Sequence, residues 1–466
     1  MLLYEREIRI PPMAEDGNPI EYFQYSIDEL LQVDELPVRF AVTKSGPEGY
    51  NCELGVLADM QDCSCAGPNR LFDFVPRDAE NTEQFNVVLL VPTGIGAEIG
   101  GHAGDAGPVA RLLASVCDTL ITHPNVVNAS DINELPENGL YVEGSVICRM
   151  LMGTAALRKV RSNRILLVMD EHSQPDITEL VINSASAARA TSGMECPCVV
   201  RMDPPIDMRA KLSSSGSAVG RVEGLQRLCE VLAKYRDEYD AVALSTLIHV
   251  PEGIHEEYFG SDGSMVNPWG GVEAMLTHTI SSLFDVPSAH APMMESLELL
   301  GKTFGVVDPR MSAEAVSRCF IHCVLKGLHR SPRIVIDPDD FGRPGVLSAA
   351  DVSCLVIPDG CVGLPTLAAI TQGIPVIAVR ENRNCMRNDL RSLPFEKGML
   401  TIVDNYLEAV GVLAAMKSGL AASSVRRPLK PTVVECVKHE TPEGRDVADQ
   451  GFGDVDSFVA ELGDLR

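Results

Sequence analysis

Short runs of Val, Ile and Leu recur along the chain, separated by longer mixed segments. From Phe85 they read NVVLLV, DTLIT, RILLVMD, CPCVVRMD and DAVALST, and later RIVID, DVSCLVIP and PVIAVREN. These runs do not alternate apolar with polar, so each predicts a strand buried on both faces. Between them lie amphipathic segments such as ITELVINSASAARA and VEGLQRLCEVLAKYRDEY, which have helical periodicity. Strand, loop and helix in regular succession predict an α/β fold: mostly parallel sheets with helices on both faces. The first 85 residues differ. EIRIPP and PVRFAVTK have strand character and IDELLQ lies between them as a helix, giving a small α+β unit. The pattern therefore divides into units at 1–85, 86–310 and 311–420, with a polar, proline-bearing tail over 421–466 that ends near the apolar FVAEL. A 466-residue chain is long enough for this division.

In parallel sheets ligands gather at the carboxyl ends of strands, so the loops after the apolar runs are the places to search. The first follows NVVLLVP and runs from Thr93 through Gly94, Gly96, Gly100, Gly101 and Asp105 to Pro108, with six glycines. Glycine lets backbone N–H groups approach a ligand, and a helix opening at Pro108 offers free donors to a carboxylate or phosphate. Close packing of loop against sheet is the alternative explanation of the same glycines. The loop has neither the Lys-Ser/Thr of a P-loop nor the dinucleotide fingerprint. Asp105 is placed to orient a histidine or to cap the helix. The next strand ends at His123, with Asn125 and Asn128 beyond it as polar contacts or turn residues. Glu143, in the run Tyr141 to Ser145, adds a carboxylate, and His290 sits between Pro287 and Pro292 in a rigid loop. Ser213, Ser214, Ser215 and Gly216 precede the VEGLQRLCEVL segment and form a second candidate anion cradle. Lys211 is two residues from Ser213, a spacing that does not activate a nucleophile. Glu273 and His278 share a helix over Val272–Leu283 but stand about 500° apart around its axis, so they do not share a face. Glu381 and Asn382 end the PVIAV strand.

Charge and composition narrow the partners. Net charge is −26 (39 basic against 65 acidic residues), which opposes nucleic-acid polymers and anionic membranes. Aromatics are 5%, too few for a base-stacking platform. Fourteen cysteines are scattered, several inside apolar runs, which fits a reducing cytoplasm. The pairs Cys63/Cys65 and Cys196/Cys198 are spaced too tightly for zinc knuckles, so no metal is expected. The run Cys361–Val379 is long enough to span a membrane, but Pro365, Gly373 and Pro375 make helix, turn and buried strand the better reading. No motif identifies a cofactor.

Taken in order, PTGIGA, GGHAGDA, THPNVVN, YVEG, SSSGSAVG, GGVEAMLTH, PSAHAP and AVREN resemble a bacterial and plastid-lineage family known only as a domain of unknown function. The resemblance spans about residues 87 to 390 and implies no reaction. Where the family pattern has tyrosine, this chain has His102, which leaves His123 and His290 ahead of it. The expected function is an enzyme on a small anionic metabolite, a hydrolase, lyase or isomerase. His123 and His290 exchange protons in this scheme, and Asp105 or Glu143 orients one of them. A homo-oligomer is the expected state. A sugar-nucleotide enzyme built on residues 358–382 is the first alternative, and a non-catalytic metabolite-binding or assembly protein the second.

Overall fold

The structure, a computed structural model, describes residues 1–14, 17–59, 71–129 and 132–436. Cys63, Cys65 and the FVAEL segment lie outside them. Met1–Ala421 form one compact unit and Ala422–Arg466 a second, whose described part carries a short exposed 3-10 turn, Ala422–Val425.

Two parallel sheets hold all but one of the apolar runs; RIVID instead forms the short strand Arg333–Val335, antiparallel to Ala156–Arg158 and exposed at its start. The larger has six strands in the order Leu400–Val403, Val376–Val379, Cys354–Pro358, Asn86–Leu89, Thr119–Thr122, Gly139–Tyr141. From its centre the chain winds outward in both directions: Asn86–Leu89 leads to Thr119–Thr122 on one side, and Cys354–Pro358 to Val376–Val379 on the other. The loops after these two central strands therefore part, as they do at a topological switch point. The smaller sheet, Glu195–Met202, Arg164–Asp170, Ala241–Ser245, Ser288–His290, is also parallel and has its own switch point between Arg164–Asp170 and Ala241–Ser245. Every residue of Asn86–Leu89, Thr119–Thr122 and Ala241–Ser245 is buried, which is why these strands show no alternation.

A third sheet of seven strands is mostly antiparallel. Its order is Ile248–His249, Asp207–Leu212, Ala218–Glu223, Leu2–Ile10, Gly49–Ala58, Leu36–Gly46, Val362–Gly363. The N-terminal strands thus pair with residues near 220 on one side and 362 on the other, so the boundary expected at 85 does not close off a unit. The boundary expected at 310 fails for a similar reason, because Cys354–Pro358 is inserted beside Asn86–Leu89. The helix expected at IDELLQ lies earlier, over Pro19–Asp28, where Asn18 caps it and Ile20, Phe23 and Ile27 are buried. MSAEAVSRCFIHCVLKGLH forms two helices, Ser312–Val316 and Ile321–His329.

The helix Gly270–Phe284 holds the unit together. Eleven of its fifteen residues are buried. Val272, Met275, Leu276 and Ile280 share one core with Leu3, Val38 and Val222 of the antiparallel sheet and with Leu166, Val168 and Val242 of the smaller parallel sheet. Its first turn lies directly on strand Ala218–Glu223: a Cβ on Gly271 would come within 1.9 Å of the Ala218 carbonyl oxygen. The face left over from this packing looks into a cavity.

Candidate active site

The cavity holds about 230 Å³ and draws its walls from the carboxyl ends of both parallel sheets. Thr93, Gly94 and Gly101 to Ala103 come from the glycine-rich loop, His123, Asn125 and Asn128 follow strand Thr119–Thr122, and Glu143 follows Gly139–Tyr141. His290 ends the last strand of the smaller sheet. Gly270, Glu273, Ala274, Thr277 and His278 form a stripe along the central helix. Glu273 and His278 occupy the two edges of this stripe. Their angular separation is real, yet it does not keep them from one cavity.

Each edge of the stripe meets a partner from elsewhere in the chain. His278 Nδ1 lies 2.6 Å from Glu143 Oε1. His290 Nδ1 lies 3.0 Å from Glu273 Oε1. All four side chains line the cavity, and exposure separates the members of each pair. The His278 side chain is 17% exposed and Glu143 3%, whereas Glu273 is 23% exposed and His290 1%. The two pairs are thus inverted: one presents a histidine backed by a carboxylate, the other a carboxylate backed by a histidine. Both presented groups are on the helix. Glu143 and His290, expected to do chemistry, stand behind them.

The backing residues are themselves held. Glu143 is the N-cap of helix Gly144–Leu151 and accepts from the Ser145 N–H and hydroxyl. Burial raises its carboxyl, and the His278 contact and these bonds outweigh that, leaving it below the usual carboxylate range. His290 Nε2 is 2.8 Å from the hydroxyl of Thr246, which is fully buried.

His123 lies in the wall but in a different role from the one expected. Its Nε2 accepts the Val91 N–H at 3.1 Å, so the ring proton sits on Nδ1. Burial pushes its pKa down to about 4, with Glu143 opposing and His278 assisting. A ring that is neutral at pH 7, with its lone pair bonded to backbone, is no base. It fixes the start of the glycine-rich loop.

The glycines of that loop serve close packing more than ligand approach. A Cβ on Gly101 would come within 2.1 Å of the Ala97 carbonyl oxygen, and Gly96 and Gly100 carry positive φ outside the lining. The helix opening at Pro108 does not reach the cavity. Asp105 neither caps it nor orients a histidine side chain; its carboxylate accepts the Gly100 N–H at 2.8 Å, and burial pushes its pKa up to about 7. Asn125 ties the loop down by donating to the Val91 and Gly100 carbonyls. Asn128 donates to the Tyr141 hydroxyl. His102 is buried, with Nδ1 2.7 Å from the Tyr258 hydroxyl.

Six other expected ligand residues stand elsewhere. Ser213, Ser215 and Ser217 each donate a hydroxyl to the buried Glu53 carboxylate, and Ser214 donates to Glu7. Together with Gly216 they form the turn between strands Asp207–Leu212 and Ala218–Glu223, not a cradle before a helix. Glu381 accepts the Tyr406 N–H. Asn382 is fully buried and exchanges two hydrogen bonds with the Ile99 backbone.

The lining is acidic. It contains Glu143, Glu273, Glu295 and Glu314 against Lys302, which is paired with Glu256. Glu314 accepts the Ala103 N–H at 2.7 Å, and burial pushes its pKa up to about 7. Among the described residues no group of three His, Cys, Asp or Glu side chains is arranged to hold a metal ion, and no helix is long and apolar enough to cross a membrane.

Residues 86–426 match the family described as "Protein of unknown function (DUF3326)". The chain is also 36% identical over 349 residues to an uncharacterized lipoprotein from Synechococcus sp., a match covering 72% of this chain and 91% of that protein. The chain belongs to this family of unknown function.

Proposed function

We propose that the protein is an enzyme that moves a proton on a small polar metabolite. His278 and Glu273 are its acid–base groups, and Glu143 and His290 position them. The observation that carries this reading is the inversion of the two pairs over one cavity. A histidine whose Nδ1 faces a carboxylate keeps its Nε2 for the ligand, and a carboxylate held by a buried histidine keeps its second oxygen. Two such groups on opposite edges of one helical stripe suit a reaction in which one takes a proton and the other gives one, as in isomerisation or elimination; hydrolysis through an activated water is the third class they serve.

The anionic substrate suggested by the glycine-rich loop is not retained, since four carboxylates surround the cavity and its lysine is paired elsewhere. The sugar-nucleotide reading loses its support because Glu381 and Asn382 are engaged in holding backbone.

The test is solvent-deuterium incorporation. The full-length protein is incubated in D2O with a library of amines, polyols, amino acids and hydroxy acids, and masses are read for all members. One class gains deuterium or changes mass with the wild type. Glu273→Gln and His278→Asn each lower that rate by roughly 10²–10⁴ while the protein stays folded. Rates unaltered by both substitutions, or no change in any member, reject the reading.

A further inference from the structure

We infer that the metabolite carries an organic ammonium group, received by Glu295 and the carboxylate-rich lining against an aromatic wall. The inference rests on the proposed active site and names its substrate class. Oε1 of Glu143 and of Glu273 each faces a histidine, and Glu314 Oε1 accepts from the Ala103 N–H and Asn267. Glu295 differs. Its Oε1 is buried and has no hydrogen-bond partner among the described residues, and the same holds for Ser317 Oγ, which also lines the cavity. A carboxylate oxygen only accepts, so the partner it lacks is a donor. Burial raises the Glu295 carboxyl above its ordinary value, and an ammonium group lodged beside it would offset that cost.

The rest of the wall describes the body of the ligand. Phe259 and Phe304 stack with centroids 4.2 Å apart, and His255 lies against Trp269 at 4.9 Å. Aromatic faces attract organic cations and cover apolar carbon. A bare inorganic cation would instead need converging ligands, and the described residues contain no such group.

The experiment is calorimetric titration of the full chain with ethanolamine, putrescine and choline, against glycerol, succinate and inorganic phosphate. At least one ammonium probe binds, and the neutral and anionic probes do not. Glu295→Gln weakens that binding at least tenfold while the unliganded melting temperature stays the same or rises; Glu295→Ala serves if the first variant folds poorly. Tighter binding of succinate or phosphate, no heat from any ammonium probe, or indifference to both Glu295 variants overturns the inference. Magnesium or zinc alone binding in place of the amines overturns it as well. The two readings fail separately. Amine binding without deuterium exchange removes only the proton-transfer reading, and exchange into a non-amine without amine binding removes only this one.

Discussion

Replacing His123 with Gln removes a ring that the folded chain keeps uncharged. The unfolded imidazole titrates near 6.5 and the folded one at about 4. At 1.36 kcal/mol per pH unit the gap corresponds to about 3 kcal/mol. The sign follows from which state binds the proton first. As pH falls, the unfolded chain protonates near 6.5, while the folded chain resists until about 4. Stability from this residue is therefore complete above about pH 6.5 and is lost as pH falls through 4. At pH 7 the variant is weaker by about 1–2 kcal/mol, since Gln keeps an acceptor for the Val91 N–H but packs less well. Urea unfolding of both proteins at pH 7, 6, 5 and 4 gives the difference directly. Asp105 and Glu314, whose raised values make stability fall as pH rises toward 7, contribute equally to both proteins and cancel. The wild-type advantage shrinks by about 3 kcal/mol over this range and inverts. Parallel curves would refute the argument that burial keeps this ring neutral.

Three further substitutions test the arrangement. Glu143→Gln costs about 1–3 kcal/mol at pH 7. Because the folded Glu143 lies below the usual carboxylate range, this difference is present above about pH 4.5 and closes as pH falls further, which denaturation at pH 7 and pH 3.5 measures. Thr246→Val leaves the buried His290 Nε2 without its partner at a cost of about 1–3 kcal/mol; kcat falls with little change in KM, and Thr246→Ser recovers it. Equal loss in the Ser variant would argue against a positioning role for the hydroxyl. Gly271→Ala drives a methyl into the Ala218 carbonyl and costs about 3 kcal/mol or more by chemical denaturation, and wild-type stability would mean the helix does not sit there.

The chain revealed its sheets and concealed its pairings. Strands such as Asn86–Leu89 and Ala241–Ser245 are legible because burial on both faces leaves only apolar residues, and their carboxyl ends do border the cavity. Unit boundaries were not legible. Nothing local in the N-terminal strands or in Cys354–Pro358 says that each will be inserted beside strands more than a hundred residues away. The serine loop misled for the same reason: the hydroxyls of Ser213, Ser215 and Ser217 are satisfied by Glu53 and that of Ser214 by Glu7, both more than a hundred residues earlier. A loop rich in donors looks like a ligand site until its acceptor is found.

The central helix carries the more general point. Angular distance along one helix excludes a contact between Glu273 and His278, and it does so correctly. It says nothing about two separate partnerships across the same stripe, with Glu143 from an N-cap and His290 from a strand end. The stripe itself was visible, since Gly270, Glu273, Ala274, Thr277 and His278 follow an i, i+3, i+4, i+7, i+8 spacing with Glu273 and His278 at its two edges. Ionisable groups on a largely buried helix are costly unless satisfied, so they imply partners even when the sequence cannot name them. Burial then assigns the roles. All four residues line the cavity, and in each pair the less exposed member is placed to orient while the more exposed one is placed to reach a ligand. A histidine at a strand end and a carboxylate at a helix cap were the natural choices by residue type, but the packing of one helix between two sheets leaves their partners the more exposed members of the two pairs, which is the ground on which we propose them as the acid–base groups.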